Sequence, residues 1–582
     1  VKTAQWDESG GATAQGRNAY NQAVVHTLSR SRLLRVLRVA ARAGLGLALG
    51  TVMLLLLGAR PAFGQADADA SAPAEGRSRI LLVLPFDNRS GQPSIEWVRE
   101  AAPEILGSRF LSAGFAPMSR ADRLYALDHL GLPQGFHPSR ATALKLAQTL
   151  DADSIVVGGF TTEGTSILVE AQVVDVPRLR MSDAVSARGQ LRDLIAVLDS
   201  LAWRLTRQLN PGFSGSEETF VAAGGGLRVD AFEQYIRGIT EPDQAERLRH
   251  LKQAVTLNPE YGEAWMALGR EDFNGQQYEE AASAFAKVGS GNPDALEAGF
   301  YRGLSLLFSG DYPGAERAFA GIAQVLPLPQ VLNNEGVADS RQGHDGIALF
   351  RQAETADPNA ADYHFNLALS LKRHGNAADA MAELAQCLRL RPNDSEALAL
   401  QEEWKEPAKL TTSGPEAASP DAVKADPLER IARSFDAAAF RQAALMLDQM
   451  NGARQAALTP DKRAAELATQ AKDYLDRGLL LEAERLYHSA VAADSKSAVA
   501  HAGLAEVRER TGDADGARKE AEAALELQPL ADAYVVLGQL DLSGGKLEDA
   551  AREAGEALGL EPANRSAHEL RSQIEARGGR IQ

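Results

Sequence analysis

Hydrophobic positions along this chain change their period three times, and each change marks a boundary. Arg30, Arg32, Arg35, Arg38 and Arg42 precede an uncharged apolar run from Ala43 to Ala59, and small residues follow it. Basic end, apolar middle and small-residue exit are the order of a secretory signal, with Ala62 and Gly64 at the −3 and −1 positions of a cut before Gln65. Residues 1–64 therefore read as a signal peptide with an upstream extension. The alternative is an uncleaved anchor whose basic end stays in the cytoplasm; both readings put residues 65–582 outside it. The arginines are not adjacent and no cysteine follows the run, which excludes a twin-arginine signal and a lipoprotein.

Residues 65–77 are a small, polar linker, and a different pattern occupies 78–212. Arg79–Asn88 is a short continuous apolar run ended by turn residues, as in a strand covered on both faces. Trp97–Ala113 has helical spacing at Trp97, Ala101, Ile105 and Phe110, with Gly114 placed to end it. Short helical stretches follow at Asp122–Asp128 and Ser139–Leu150. Asp153–Phe160 and Thr165–Val176 read as strands, with alternation at Ile167, Val169, Ala171 and Val173; Met181–Gln190 is a weaker third. Leu191–Leu209 is a helix stopped by Asn210-Pro211. In its "LPFDN", "ADSIVVGGF" and "ILVEAQVVDV" segments this stretch resembles the TolB amino-terminal type of domain, related to the CsgG and FlgO-like envelope modules. That resemblance covers about 130 residues. It implies an assembly or interaction module, and no catalytic residue.

After a second linker at 213–228, prolines recur at Pro259, Pro293, Pro327, Pro358 and Pro392; Ser495, Pro529 and Pro562 form a second series. A period near 34 means stacked helix pairs. In Gly262–Ala295 the residues Trp265, Leu268, Gly269, Ala281, Phe285 and Pro293 resemble the tetratricopeptide signature, and Leu296–Pro329 and Ala361–Asp394 repeat it. Gly269 and Ala281 belong where antiparallel helices cross; Trp265 and Phe285 fill the space between pairs. The predicted fold class is α+β multidomain: a small α/β module, then two α-solenoid arrays. Array 1 spans 229–404, a Pro-rich linker 405–426, and array 2 with a closing helix 427–580, including a half-hidden unit that uses Phe435, Phe440, Ala443 and Leu447. A flexible linker of that length has a span of roughly 25 Å and would let the arrays move independently.

The resemblance also implies a concave face lined by the first helix of each pair, where partner peptides lie. Carried over unit by unit, that face is Met266, Arg270, Phe273 and Asn274; then Phe300, Leu304, Leu307 and Phe308; then Asn333 and Arg341; then Phe365, Asn366, Leu369, Lys372 and Arg373. Glu263, Glu297, Val337, Ser340 and Asp362 share it. Its middle is apolar and one end basic. Either Phe300 and Phe308 pack against a neighbouring helix or the α/β module, or the groove takes a peptide with an apolar anchor and an acidic end that meets Arg341, Lys372 and Arg373. Only Asn366 matches the carboxylate-clamp subtype, so capture of a C-terminal carboxylate is not expected.

Composition narrows the chemistry. The 582-residue chain carries a formal charge of −17, with 61 Lys and Arg against 78 Asp and Glu; eight basic and two acidic residues lie in 1–64, which leaves the rest at −23. A body this acidic argues against nucleic acid and against direct binding to anionic lipid beyond an uncleaved anchor. The lone Cys387 lies on the buried side of a packing helix and reads as an apolar filler. There is no Walker, HExxH or GxSxG motif, no calcium loop and no histidine pair at metal spacing, so neither an enzyme nor a cofactor or metal is expected. His137, beside Pro138, reads as a surface residue. The expectation is a non-enzymatic, exported adaptor that holds a protein or peptide partner of the cell envelope in the bacterial periplasm. The alternative is a structural subunit of an envelope secretion or outer-membrane assembly, oligomerising through the α/β module; a small-ligand sensor is a third.

Overall fold

The computed structural model describes residues 80–133, 135, 139–405 and 428–580. The signal, the 65–77 linker, His137 and the segment 406–427 lie outside the described residues.

In the α/β module, β1 (Ile80–Val83) sends Leu81 and Val83 to one face and, with Leu84, Leu82 to the other, and both sets are buried. That double burial explains the unbroken apolar run. β1 lies parallel to β3 (Ala116–Pro117) on one side and to β4 (Ser154–Glu163) on the other. β2 (Asp87–Asn88) continues beside β4. β4 and β5 (Ser166–Asp175) form a ten-rung antiparallel hairpin, and β6 (Arg180–Met181) and β7 (Val185–Gln190) pair with the far edge of β5. Helices α1 (Val98–Ser112) and α4 (Leu194–Leu209) cover one face; α2 (Arg120–His129) and α3 (Arg140–Thr149) cover the other. Arg109 of α1 donates to the buried Asp199 of α4 at 2.8 Å. Burial still pushes the Asp199 carboxyl up to about 6, against the pull of Arg109.

Segment 213–228, expected as a linker, instead carries helix α5 (Glu217–Ala223), with Phe220 fully buried. Phe220 joins one apolar core with α1, α4 and the first repeat helices, including Phe232, Tyr235 and Tyr261. The module and array 1 therefore share a core, because a short helix with a large ring is more stable buried than exposed.

Array 1 is built of α6 (Val229–Thr240) with α7 (Gln244–Leu257), α8 (Gly262–Asn274) with α9 (Tyr278–Phe285), α10 (Ala295–Ser309) with α11 (Tyr312–Val325), α12 (Pro329–Arg341) with α13 (Ile347–Ala356), α14 (Ala361–Arg373) with α15 (Ala377–Leu390), and α16 (Ser395–Lys405). At Gly269 an added Cβ would stand 2.8 Å from the Phe285 ring, so the crossing of α8 and α9 admits only glycine without a shift. Gly375, at φ +82°, turns the chain between α14 and α15, in the left-handed region that glycine occupies at no steric cost.

After helix α17 (Ala437–Ala456), array 2 comprises α18 (Pro460–Asp476) with α19 (Leu480–Ala493), α20 (Ala498–Thr511) with α21 (Ala514–Leu527), α22 (Ala531–Ser543) with α23 (Leu547–Leu560), and α24 (Arg565–Ala576). It was expected to move freely, yet its first pair is docked. Leu481 enters the core of the module, and the buried Glu484 carboxylate accepts the Ser216 N–H at 3.2 Å, at the start of α5. An anion at a helix N-terminus is favourable on charge grounds alone. The half-hidden unit also differs: residues 428–436 form no helix, and α17 is one continuous helix. Phe435 and Phe440 pack into the core of array 1, where larger apolar side chains await them than the alanine-rich array 2 supplies.

Candidate peptide-binding groove

Two asparagines on consecutive repeats organise the site. Asn366 of α14 accepts the Arg430 N–H at 2.7 Å on Oδ1 and donates from Nδ2 to the Arg430 carbonyl at 2.8 Å. Asn334 of α12 does the same for Ala432, accepting its N–H at 2.8 Å and donating to its carbonyl at 2.9 Å. Each side-chain amide thus satisfies both polar groups of one residue. Residues two apart present their backbone groups to the same side only in an extended chain, so the pair reads a strand-like segment. Asn333 links the two brackets: its Nδ2 donates to the Arg430 carbonyl at 3.0 Å and its Oδ1 accepts from Asn366 at 2.8 Å. All three asparagines are buried. The bound segment, 428–436, belongs to this chain and is called the strap below.

Side chains of the strap enter two pockets of opposite charge. Glu429 accepts from the Ser340 hydroxyl at 2.6 Å and from Arg373, and its second oxygen lies 3.6 Å from Arg341 Nε. Burial would push its carboxyl up, but the Ser340 and Arg373 hydrogen bonds prevail and hold it below the usual range. Arg430 reaches the other way, to Asp394 at 2.7 and 2.8 Å, Asp362 at 3.0 Å and Glu396 at 3.0 Å, with its guanidinium 3.6 Å from the centre of the Phe365 ring. A planar cation between a ring and a bidentate carboxylate is the arrangement that arginine forms and lysine does not. The hydrogen bonds from Arg430 draw the Asp394 carboxyl down to about 2.

Further along, Ile431 and Phe435 pack against the apolar floor. The Phe435 ring lies 5.7 Å from Phe300, which also faces Phe319 at 5.7 Å. Arg433 stands 5.7 Å over the Phe308 ring. Phe300 therefore packs on a neighbouring helix, as the first of the two readings from sequence had it, and also meets the strap of its own chain.

The other expected groove residues divide. Leu304 and Leu307 join the apolar floor and are buried. Phe273 stacks among Tyr278, Tyr301 and Phe308, and Arg270 pairs with Glu297 at 2.7 Å. Met266 and Leu369 are buried within their own repeats, Met266 with Ala281 and Phe285, Leu369 with Phe365 and Leu384. Asn274 is exposed at the end of α8. Lys372, expected beside an acidic group, instead lies 5.4 Å over the Trp404 ring, because α16 covers that side of α14. Cys387 is buried with Leu384 and Leu369, and burial pushes its thiol up.

Sequence reasoning missed Asn334, Asp394, Glu396 and the strap. One signal was available: Asn334 and Asn366 each stand two residues before the small crossing residue of their repeat, Gly336 and Ala368. Among the described residues no group of three or more His, Cys, Asp or Glu is arranged to hold a metal, and no helix is long and apolar enough to cross a membrane.

The family profile of the tetratricopeptide repeat matches residues 338–395, 468–532 and 535–582. Solved structures similar to this chain include YrrB, described as a TPR protein with an unusual peptide-binding site, at 16% identity and TM-score 0.27 over 35% of this chain and 99% of that one. MamA is similar at 15% identity and TM-score 0.26 over 28% of this chain and 96% of that one. MamA from Desulfovibrio magneticus RS-1 is similar at 20% identity and TM-score 0.25, over 31% and 100%. No curated protein matches the chain. Residues 338–395, 468–532 and 535–582 are thus tetratricopeptide repeats, and they lie within the two stacks of helix pairs.

Proposed function

We propose that this chain is a non-enzymatic, exported scaffold whose first array grips an extended stretch of a partner polypeptide in the bacterial periplasm. The observation that carries the reading is the paired bracket: Asn334 and Asn366 each engage the N–H and carbonyl of one residue of a non-helical segment. Backbone capture of this kind supplies affinity, and the flanking charged pockets supply selection. Export is supported by the arginine-rich start and apolar run of residues 30–59, and an envelope role by the resemblance of residues 78–212 to TolB-type modules.

The test has two parts. Cell fractionation should recover the protein in the periplasmic fraction; recovery in the cytosol contradicts export. Affinity capture from envelope extract should retain a partner that is lost when Asn334 and Asn366 are both changed to alanine. A set of captured proteins unaffected by that change contradicts the groove.

A further inference from the structure

The pockets that hold the strap are built almost wholly by the repeats. Asp362, Asp394 and Glu396 converge on one point, and with the strap removed Arg391 is the one cation, among the described residues, paired with the first two, at 2.8 and 3.4 Å. Asp394 is 8% exposed, so an empty pocket would hold poorly solvated like charges. Ser340, Arg341 and Arg373 converge on a second point, the Glu429 carboxylate. Asn334 and Asn366 would each lose two backbone partners inside a buried site, which costs more than never forming them. A groove with these groups needs an occupant, and the occupant's chemistry follows from them. It carries an anion beside Ser340 and Arg373, a guanidinium over Phe365, an unobstructed backbone between the asparagines, and a ring against Phe300.

We propose that the groove recognises a partner polypeptide with the chemistry of residues 429–435: an acidic residue followed directly by arginine and an aliphatic residue, with phenylalanine four positions further on. The strap is the internal copy that such a partner displaces. This rests on the reading of array 1 as a peptide-binding groove and adds the identity of what it reads. Spacing and charge both commit to the pattern. The two pockets of opposite sign are filled by consecutive residues, which in an extended chain point to opposite sides. An inverted pair would place a carboxylate among Asp362, Asp394 and Glu396. The strap and array 1 are parts of one chain, so a partner competes with an intramolecular contact. A partner in trans therefore meets a groove that is closed until its own contacts exceed those of the strap, and selectivity is set by that difference.

The probe is a fluorescein-labelled synthetic octapeptide with the sequence of residues 428–435, and the readout is fluorescence anisotropy with the full chain. Arg430→Ala, which empties the acidic pocket, is expected to bind it at least about tenfold more tightly than the unaltered protein does. A peptide with the glutamate and first arginine exchanged should not bind. Phe435→Ala, which loosens the strap at its other end and leaves both charged pockets intact, is the second variant should Arg430→Ala lose helical circular dichroism. Equal binding by the unaltered chain and a folded strap variant, or equal binding of the exchanged peptide, would overturn the proposal. So would light scattering that shows a dimer dissociated by the octapeptide, since the occupant would then be a second copy. The peptide assay needs no natural partner, so its failure is distinct from that of the affinity capture: a partner lost on the asparagine changes but not competed by the peptide leaves the scaffold reading standing and removes this one.

Discussion

The two arrays share a repeat and differ in what their concave positions can hold. In two successive repeats of array 1 the position two residues before the crossing residue is Asn334 and Asn366, and both amides face an inserted chain, whereas the two repeats before them carry Ala267 and Tyr301 there. In array 2 the same position is Thr469, Gly503 and Val536. Thr469 donates to its own helix, at the Ala465 carbonyl. A Cβ at Gly503 would stand 2.1 Å from the Tyr487 ring, and Val536 is buried among Ala517 and Ala521. One repeat signature thus supports two outcomes. Where the sixth position packs inward it serves the stack; where it carries an amide and the neighbouring pockets are charged, it serves a bound backbone. The fold constrains only the crossing residues, and the chemistry of the concave face is free to vary.

Five predictions probe that contrast. The largest effect belongs to Arg430→Ala, which leaves the buried Asp394 without its main cation; removing one member of such a pair costs about 3–5 kcal/mol of strap docking. Hydrogen exchange should show residues 428–436 losing protection while array 2 is unchanged. Next, Asn366→Ala should cost about 1–3 kcal/mol by stranding the Arg430 backbone groups. The converse change, Gly503→Asn, should lower the melting temperature of array 2 through its clash with Tyr487 without creating a binding site.

The fourth concerns pH. Glu429, Asp362 and Asp394 are held below the usual carboxylate range, so their contribution to docking is complete above about pH 5 and is lost as pH falls, for Asp394 toward about 2. Two other groups carry the opposite sign. Burial, partly offset by Arg123, pushes Glu104 up to about 7; burial and repulsion from Glu316 and Asp339 push Glu335 up to about 7. Their contributions are complete below about pH 4.5 and are lost as pH rises through 7. Melting temperature should therefore rise from pH 8 to pH 5, and strap protection should fail only below pH 4. The smallest effect is Arg565→Ala, which removes an exposed pair with Glu569 on the closing helix and should leave melting unchanged.

The stack was legible because its steric demands recur. Gly269, Ala281 and Phe285 must sit at fixed intervals for two helices to cross, so a period near 34 carries the architecture. The strands of the module were legible for a similar reason, since Leu81–Leu84 can be uniformly apolar only if both faces are covered. The concave face was legible in part: Asn333, Phe300, Phe365, Asn366, Arg341 and Arg373 line the strap, whereas Met266 and Leu369 turn into their own repeats. Repeat position alone does not distinguish those two directions. The strap itself was read as half a repeat because Phe435 and Phe440 look like packing residues, as they are, but the Phe300 ring that Phe435 meets lies more than a hundred positions earlier in the chain. Long-range pairing of that kind leaves no periodic trace. Array 2 was expected to swing on its linker for the same reason, as the meeting of Glu484 with Ser216 spans 268 positions.

The central claim is that side-chain amides of array 1 hold the backbone of residues 430 and 432, and amide hydrogen exchange at those two positions tests it most directly. The account predicts slow exchange at Arg430 and Ala432 in the unaltered chain and rapid exchange when Asn334 and Asn366 are both alanine. Exchange at the rate of an unstructured peptide in the unaltered chain, or protection that survives the double change, would contradict it.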